Sequence, residues 1–157
     1  MSVAVPALAG LDYPPAAFHF AVNIGVPTPL DSSFQEVSGL DQTLDTEEFV
    51  EGGENRFVHQ LPKGVKQGRL SLKRGVAALD SPLMAWCKWV LEGGLSDTIT
   101  TQQVLVHLLD GNGLPLRIWC CHNAFPVHWD IDPFGSMKNE VAVEQIELAY
   151  QYCTRML

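Results

Sequence analysis

Basic residues are scarce in this chain of 157 residues: ten Lys and Arg stand against eighteen Asp and Glu, a net charge of −8, and none of the ten falls in the first 55 positions. A surface poor in cations displaces few counterions from a phosphate backbone and offers nothing to anionic headgroups, so nonspecific nucleic-acid binding and direct membrane insertion are not expected. No apolar run approaches the ~18 residues that cross a bilayer. The positive n-region of a secretory signal is also missing, since residues 1–30 carry Asp12 and no base. The expectation is synthesis and folding in the cytoplasm, with any export as part of a larger particle. There the four cysteines, Cys87, Cys120, Cys121 and Cys153, should be reduced and buried. What is present is 46% apolar and only 18% charged, which argues against disorder. The length fits one domain with a core that needs no metal or disulfide.

Charge is segregated along the chain. Residues 31–55 hold eight acids and no base; residues 56–88 hold seven bases and Asp80 alone. Such blocks can become two surfaces of opposite sign, or they can be solvated loops.

The hydropathy pattern is mainly that of strands. Phe18, Phe20, Val22 and Ile24 alternate with polar or small residues, and Pro27 and Pro29 end the run. Ser33 to Leu40 predicts a second strand. Asp41 to Asn55 reads as a long polar excursion, of a kind that compact domains keep only when it has a job. Arg56 to Leu61 re-enters a strand, Pro62 to Gly68 reads as a loop, and Leu70 and Leu72 point inward. The helix signal lies at residues 81–92: Ser81 as N-cap, Pro82 in the first turn, Leu83, Trp86, Cys87 and Val90 as one stripe, and Gly93-Gly94 as the stop. Asp110-Gly111-Asn112-Gly113 joins Gln103 to Leu109 and Leu114 to Cys121 as a hairpin. Leu105 and Leu109 make the second face of that first strand apolar too, which suggests a neighbouring subunit. Ala124 to Ile131 and Val141 to Gln151 complete about seven strands, with a helix competing for the last because Glu144 breaks its alternation. The fold class is mainly β: an antiparallel barrel or sandwich with one flanking helix.

Catalytic chemistry finds little purchase. Cys120, Cys121 and His122, with His128, form one metal-like cluster, but strand geometry turns Cys121 away from its neighbours and no Cys-x-x-Cys or His-Glu-x-x-His spacing occurs. Glu47, Glu48, Glu51 and Glu54 could supply paired carboxylates, yet their polar surroundings offer nothing to separate their pKa values. No catalytic residue, cofactor or metal is expected.

Five ordered segments resemble the tube proteins of contractile phage tails and extracellular injection particles. They are Phe34-Gln35-Glu36-Val37-Ser38-Gly39-Leu40, Glu51-Gly52-Gly53-Glu54-Asn55-Arg56-Phe57-Val58-His59-Gln60-Leu61-Pro62, Leu72-Lys73-Arg74-Gly75, Asn123-Ala124-Phe125-Pro126 and Glu147-Leu148-Ala149-Tyr150-Gln151-Tyr152. The long second segment and the Ala-Tyr-Gln-Tyr ending look most like the tube-initiating layer. The resemblance implies an Hcp-like tail-tube fold, assembly as a homohexamer whose sheets join around a lumen, and a place between the spike hub and the first inner-tube ring, near baseplate and sheath proteins. Residues 1–12 would be an N-terminal extension and 41–55 an acidic arm. Stacking and inter-subunit contacts are expected from Asp41, Asp45, Glu47, Glu48, Glu51 and Glu54 against Arg56, Lys63, Lys66, Arg69, Lys73 and Arg74, because ring faces must complement each other. Three readings follow: a tube or tube-initiator ring, a secreted tube-like effector or carrier, and a metal-binding enzyme.

Overall fold

Apolar residues at every second position of six strands build the core. The computed structural model describes residues 19–25, 31–75, 81–131 and 142–157. These form β1 (His19–Ile24), β2 (Asp31–Ser38), β3 (Gln42–Phe49), β4 (His59–Gln67), β5 (Leu70–Gly75), α1 (Pro82–Glu92), β6 (Gln102–Leu109), β7 (Pro115–Ile131), β8 (Val143–Ala149) and β9 (Tyr152–Arg155). The main sheet runs β6-β1-β2-β5-β8-β7-β9, and β6 pairs with β7 as well, so β6, β1, β2, β5, β8 and β7 close an antiparallel barrel. Closure removes free edges that would otherwise recruit other chains. Inside, Val22, Leu70, Leu72, Val104, Val106, Ile146 and Leu148 are fully buried, each contributing about 1.5–3 kcal/mol relative to exposure.

One long strand makes the closure possible. β7 gives its first half to β6 on one edge and β9 on the other, then its second half to β8. Between Gln102↔Ala124 and Val104↔Cys121, β7 advances three residues while β6 advances two. The extra residue is a β-bulge at Asn123, whose φ of 51° is one that Asn tolerates better than most side chains. Beyond it the buried positions change parity, from Cys121 to Ala124. The opposing strand bends at the same level: Gln151 N–H donates to the His122 carbonyl (3.0 Å) and Asn123 Nδ2 donates to Gln151 Oε1 (2.6 Å). Residues 115–131, expected as two strands, are thus one bent strand.

α1 follows its capping residues. The Ser81 hydroxyl accepts from Met84 N–H at 3.4 Å, Leu83, Cys87 and Val90 are buried, and the left-handed stop is Gly94 (φ 59°) rather than Gly93. The helix is tied to the barrel by a buried polar network. Arg74 Nε donates to Glu144 Oε2 (3.3 Å) and Arg74 Nη2 to the Ser81 hydroxyl (3.0 Å), while Trp129 Nε1 donates to Glu144 Oε1 (3.1 Å). The guanidinium lies 4.9 Å from the centre of the Phe34 ring. Residues 143–149 are a strand, not a helix. Glu144 shares the inward face with Ile146 and Leu148, and it occupies that position because Arg74 lies directly opposite in register.

Residues 1–12 and the turn expected at 132–139 lie outside the described residues, as do Pro27 and Pro29. Among the described residues no helix is long and apolar enough to cross a membrane.

Candidate functional site

β3 and β4 form a second, two-stranded sheet apart from the barrel. The polar excursion expected at residues 41–55 is therefore half of an ordered hairpin. The loop expected from Pro62 to Gly68 is mostly strand. Pro62 fits because it sits beside the register shift between Asp45 and Thr46, in a strand whose other edge pairs with no described strand, where its missing N–H costs no ladder bond. Thr46 Oγ1 donates to Gln60 Oε1 across the pair (2.9 Å).

The tip owes its shape to the Glu-Gly-Gly-Glu-Asn-Arg run. Glu54 N–H closes a turn onto the Glu51 carbonyl (3.2 Å), and Gly53 supplies a φ of 98°. Glu54 then accepts from Arg56 three times: backbone N–H at 3.0 Å, Nε at 3.0 Å and Nη2 at 3.2 Å. That guanidinium holds the Glu54 carboxyl below its ordinary range. His59 Nε2 lies 3.1 Å from Glu51, and the Phe57 ring meets the His59 ring edge-on at 5.0 Å.

The mount of this arm is tight. At Gly39 (φ 87°) a Cβ would overlap the Arg69 carbonyl, and at Gly68 it would overlap the Asp41 carboxylate. Gly68 N–H donates to the Asp41 carbonyl (3.3 Å), and Gln42 Nε2 to the Cys153 carbonyl (3.0 Å). Tyr150 donates its hydroxyl to the Gly39 carbonyl (2.7 Å), and burial pushes that hydroxyl's pKa up to about 12. The Ala-Tyr-Gln-Tyr ending is now physically legible. Tyr150 pins the arm, Gln151 braces the bulge, and Tyr152 stacks on His122 at 4.3 Å.

Beyond its mount the arm has apolar side chains that the described residues leave uncovered. Leu44, Phe49, Val50, Phe57, Val58, Leu61 and Val65 are all exposed, Val50 at 68%. Apolar surface concentrated this way marks a contact with another molecule. The charge pattern alone missed these residues, although the Phe49-Val50 and Phe57-Val58 pairs inside a polar stretch were the available signal.

The acidic and basic blocks do not form opposite ends of the molecule. Part of each block folds into one hairpin, where Asp45, Glu47 and Glu48 on β3 face a strand that carries Lys63 and Lys66, and Lys66 pairs with Asp45. Glu54 is held by Arg56, Lys73 lies 3.5 Å from Glu36, and Arg69 lies 3.9 Å from Glu147. Arg74 is corrected more sharply: at 2% exposure, facing Glu144 at 2%, it is enclosed by its own fold and has no surface to offer a stacking partner. Asp41, Glu47, Glu48, Glu51 and Lys63 remain exposed.

The Cys120-Cys121-His122 run is spent on packing. Cys120 Sγ accepts from Gln103 Nε2 (2.8 Å), buried Cys121 faces Cys153 in register, and His122 Nε2 lies 3.1 Å from Thr154 Oγ1. Burial pushes both the Cys121 and Cys153 thiols up, away from thiolate character. Among the described residues no three His, Cys, Asp or Glu side chains gather as a metal-holding group.

A closed barrel with a helix tied to it and an arm that the described residues leave uncovered defines an Hcp-like tube fold. Hcp1 from Flavobacterium johnsoniae shares it with a TM-score of 0.57 at 12% identity, over 88% of this chain and 95% of that one. The chain belongs to the T4-like virus tail tube protein gp19 family, whose model matches residues 16–154. It is similar to a chain in the cryo-EM structure of the anti-feeding prophage baseplate, sixfold symmetrised, with 31% identity over 92% of this chain and 97% of that one and a TM-score of 0.74. It is also similar to a chain of the PVC extracellular contractile injection system sheath/tube terminator in the extended state, at 25% identity, 92% and 98% coverage and a TM-score of 0.76. No curated protein matches.

Proposed function

We propose that this tail tube protein forms a homohexameric ring and that the ring is the layer that starts the inner tube on the spike hub, with baseplate and sheath proteins around it. The observation that carries the assembly reading is the arm: ordered, rigidly mounted, and apolar on surfaces its own chain leaves open. Six copies related head to tail use heterologous contacts that close into a ring. The arm reaches a neighbouring subunit or ring, and Lys63, Lys66 and Arg69 receive acids from that neighbour, adding orientation more than affinity. For the initiating layer, the support is the 31% identity to a baseplate chain against 25% and 26% to chains from sheath–tube and cap structures.

Copy number in intact particles tests this. Six copies beside the hub are expected of an initiator, whereas the same chain in many successive layers makes it the bulk tube subunit. Particles that assemble fully without it, together with its delivery into target cells, would make it a carried effector instead.

A further inference from the structure

An open cleft of about 280 Å³ lies at the foot of the arm, lined by Leu40, Gln42, Trp119, Cys153 and Arg155. Its single charged lining residue is a cation in a chain of net charge −8. At the far end of the arm, Phe49 and His59 pair across the strands and Leu61 pairs with Glu47 on the same face, with Phe57 against the His59 ring. These residues make an aromatic knob with a carboxylate beside it. Building on the reading of the chain as a self-assembling ring subunit, we propose that this knob seats in the arm-foot cleft of a second copy of the chain, with Phe49 as anchor and Glu47 against Arg155.

Three observations carry the pairing. The knob is exposed, acidic and aromatic, while the cleft holds the half-buried Trp119 and Leu40 beside Arg155, whose Nε donates to the Leu157 carbonyl (3.2 Å) and whose Nη groups are left to meet a carboxylate. A buried aromatic inside a ring of polar contacts is the usual form of an interface anchor. Knob and cleft lie at opposite ends of one hairpin: the seven strand steps from Gln42 to Phe49, at ~3.3 Å each, separate them by roughly 23 Å, so the knob cannot fill its own cleft. The mount at Gly39 and Gly68, pinned by Tyr150, fixes the direction of the arm relative to the cleft. Each copy therefore gives a knob at one end and takes one at the other, a heterologous contact that propagates head to tail.

The test uses the full chain with Glu47→Arg, Arg155→Glu and the charge-exchanged double variant, read by sedimentation velocity and negative-stain microscopy, with circular dichroism to check the fold. Each single variant should stay folded and lose at least tenfold in the concentration dependence of assembly, and the double should recover it. A knob variant, Phe49→Ser, should lose assembly without recovery by either charge change. Assembly of Arg155→Glu like the unaltered chain, or a double variant as impaired as the singles, overturns the pairing while leaving the ring reading intact. An unaltered chain that never assembles, alone or in particles, overturns the ring reading itself.

Discussion

Removing the Glu144 carboxylate should destabilise the barrel itself and not only an interface. The side chain is 2% exposed, answers Arg74 directly across β5 and β8, and accepts the Trp129 indole N–H at 3.1 Å. In Glu144→Ala the guanidinium keeps its bond to Ser81 but loses the Glu144 carboxylate, and breaking one side of a buried pair costs about 3–5 kcal/mol. At roughly 2–4 °C per kcal/mol for a domain of this size, the melting temperature should fall by about 6–20 °C. Urea denaturation followed by tryptophan fluorescence measures the loss. A double-mutant cycle then isolates the pair: Arg74→Met and Glu144→Leu should each cost several kcal/mol, and their combination clearly less than the sum, because the pair that the second change would break is already gone. Additive costs, or a single variant within ~0.5 kcal/mol of the original, would refute the network. A variant of Arg74 with unchanged stability but no assembly would return that residue to the interface.

The other expectations are briefer. Gly39→Ala should cost more than the ~1–2 kcal/mol of a left-handed backbone alone, since its Cβ meets a carbonyl; Gly53→Ala, with open space around it, should cost only that backbone penalty, and denaturation compares the two. Tyr150→Phe should lose about 1–3 kcal/mol by orphaning the Gly39 carbonyl, with faster hydrogen exchange at the arm foot as the local readout. Burial lowers the His107 pKa from its ordinary 6.5, so the folded state favours the neutral ring. Stability should then be full above ~6.5 and decline as pH falls below it, and His107→Leu should flatten that part of the profile. Reversing Lys63, Lys66 and Arg69 to Glu should leave the barrel folded, since exposed pairs contribute ~0–1 kcal/mol each, while abolishing rings seen by microscopy.

The barrel was readable because burial writes a period into sequence: Val22 and Ile24, Leu70 and Leu72, Ile146 and Leu148 each face the same core. Ser81 and Pro82 announced the helix for reasons local to its first turn. The arm was harder to read. β3 and β4 have both faces in solvent, so no alternation marks them, and their strands exist only through each other. Glu144 looked like a break in a pattern until its register with Arg74 was visible, a relation spanning seventy residues. The charge blocks were hard to read for the same reason: Asp45 and Lys66, from blocks of opposite sign, became partners across a hairpin, so the net sign of a block said nothing about which face it would occupy. The apolar tip residues carried the more direct signal of assembly.

The central claim is that this chain is a ring subunit, and the mass of the purified full-length protein in solution tests it most directly. Native mass spectrometry should find a discrete species at six times 17.3 kDa, reduced to the monomer by the Glu47→Arg change. A sole species of 17.3 kDa at every concentration, with a folded circular dichroism spectrum and no rings in particles that contain it, would contradict the account.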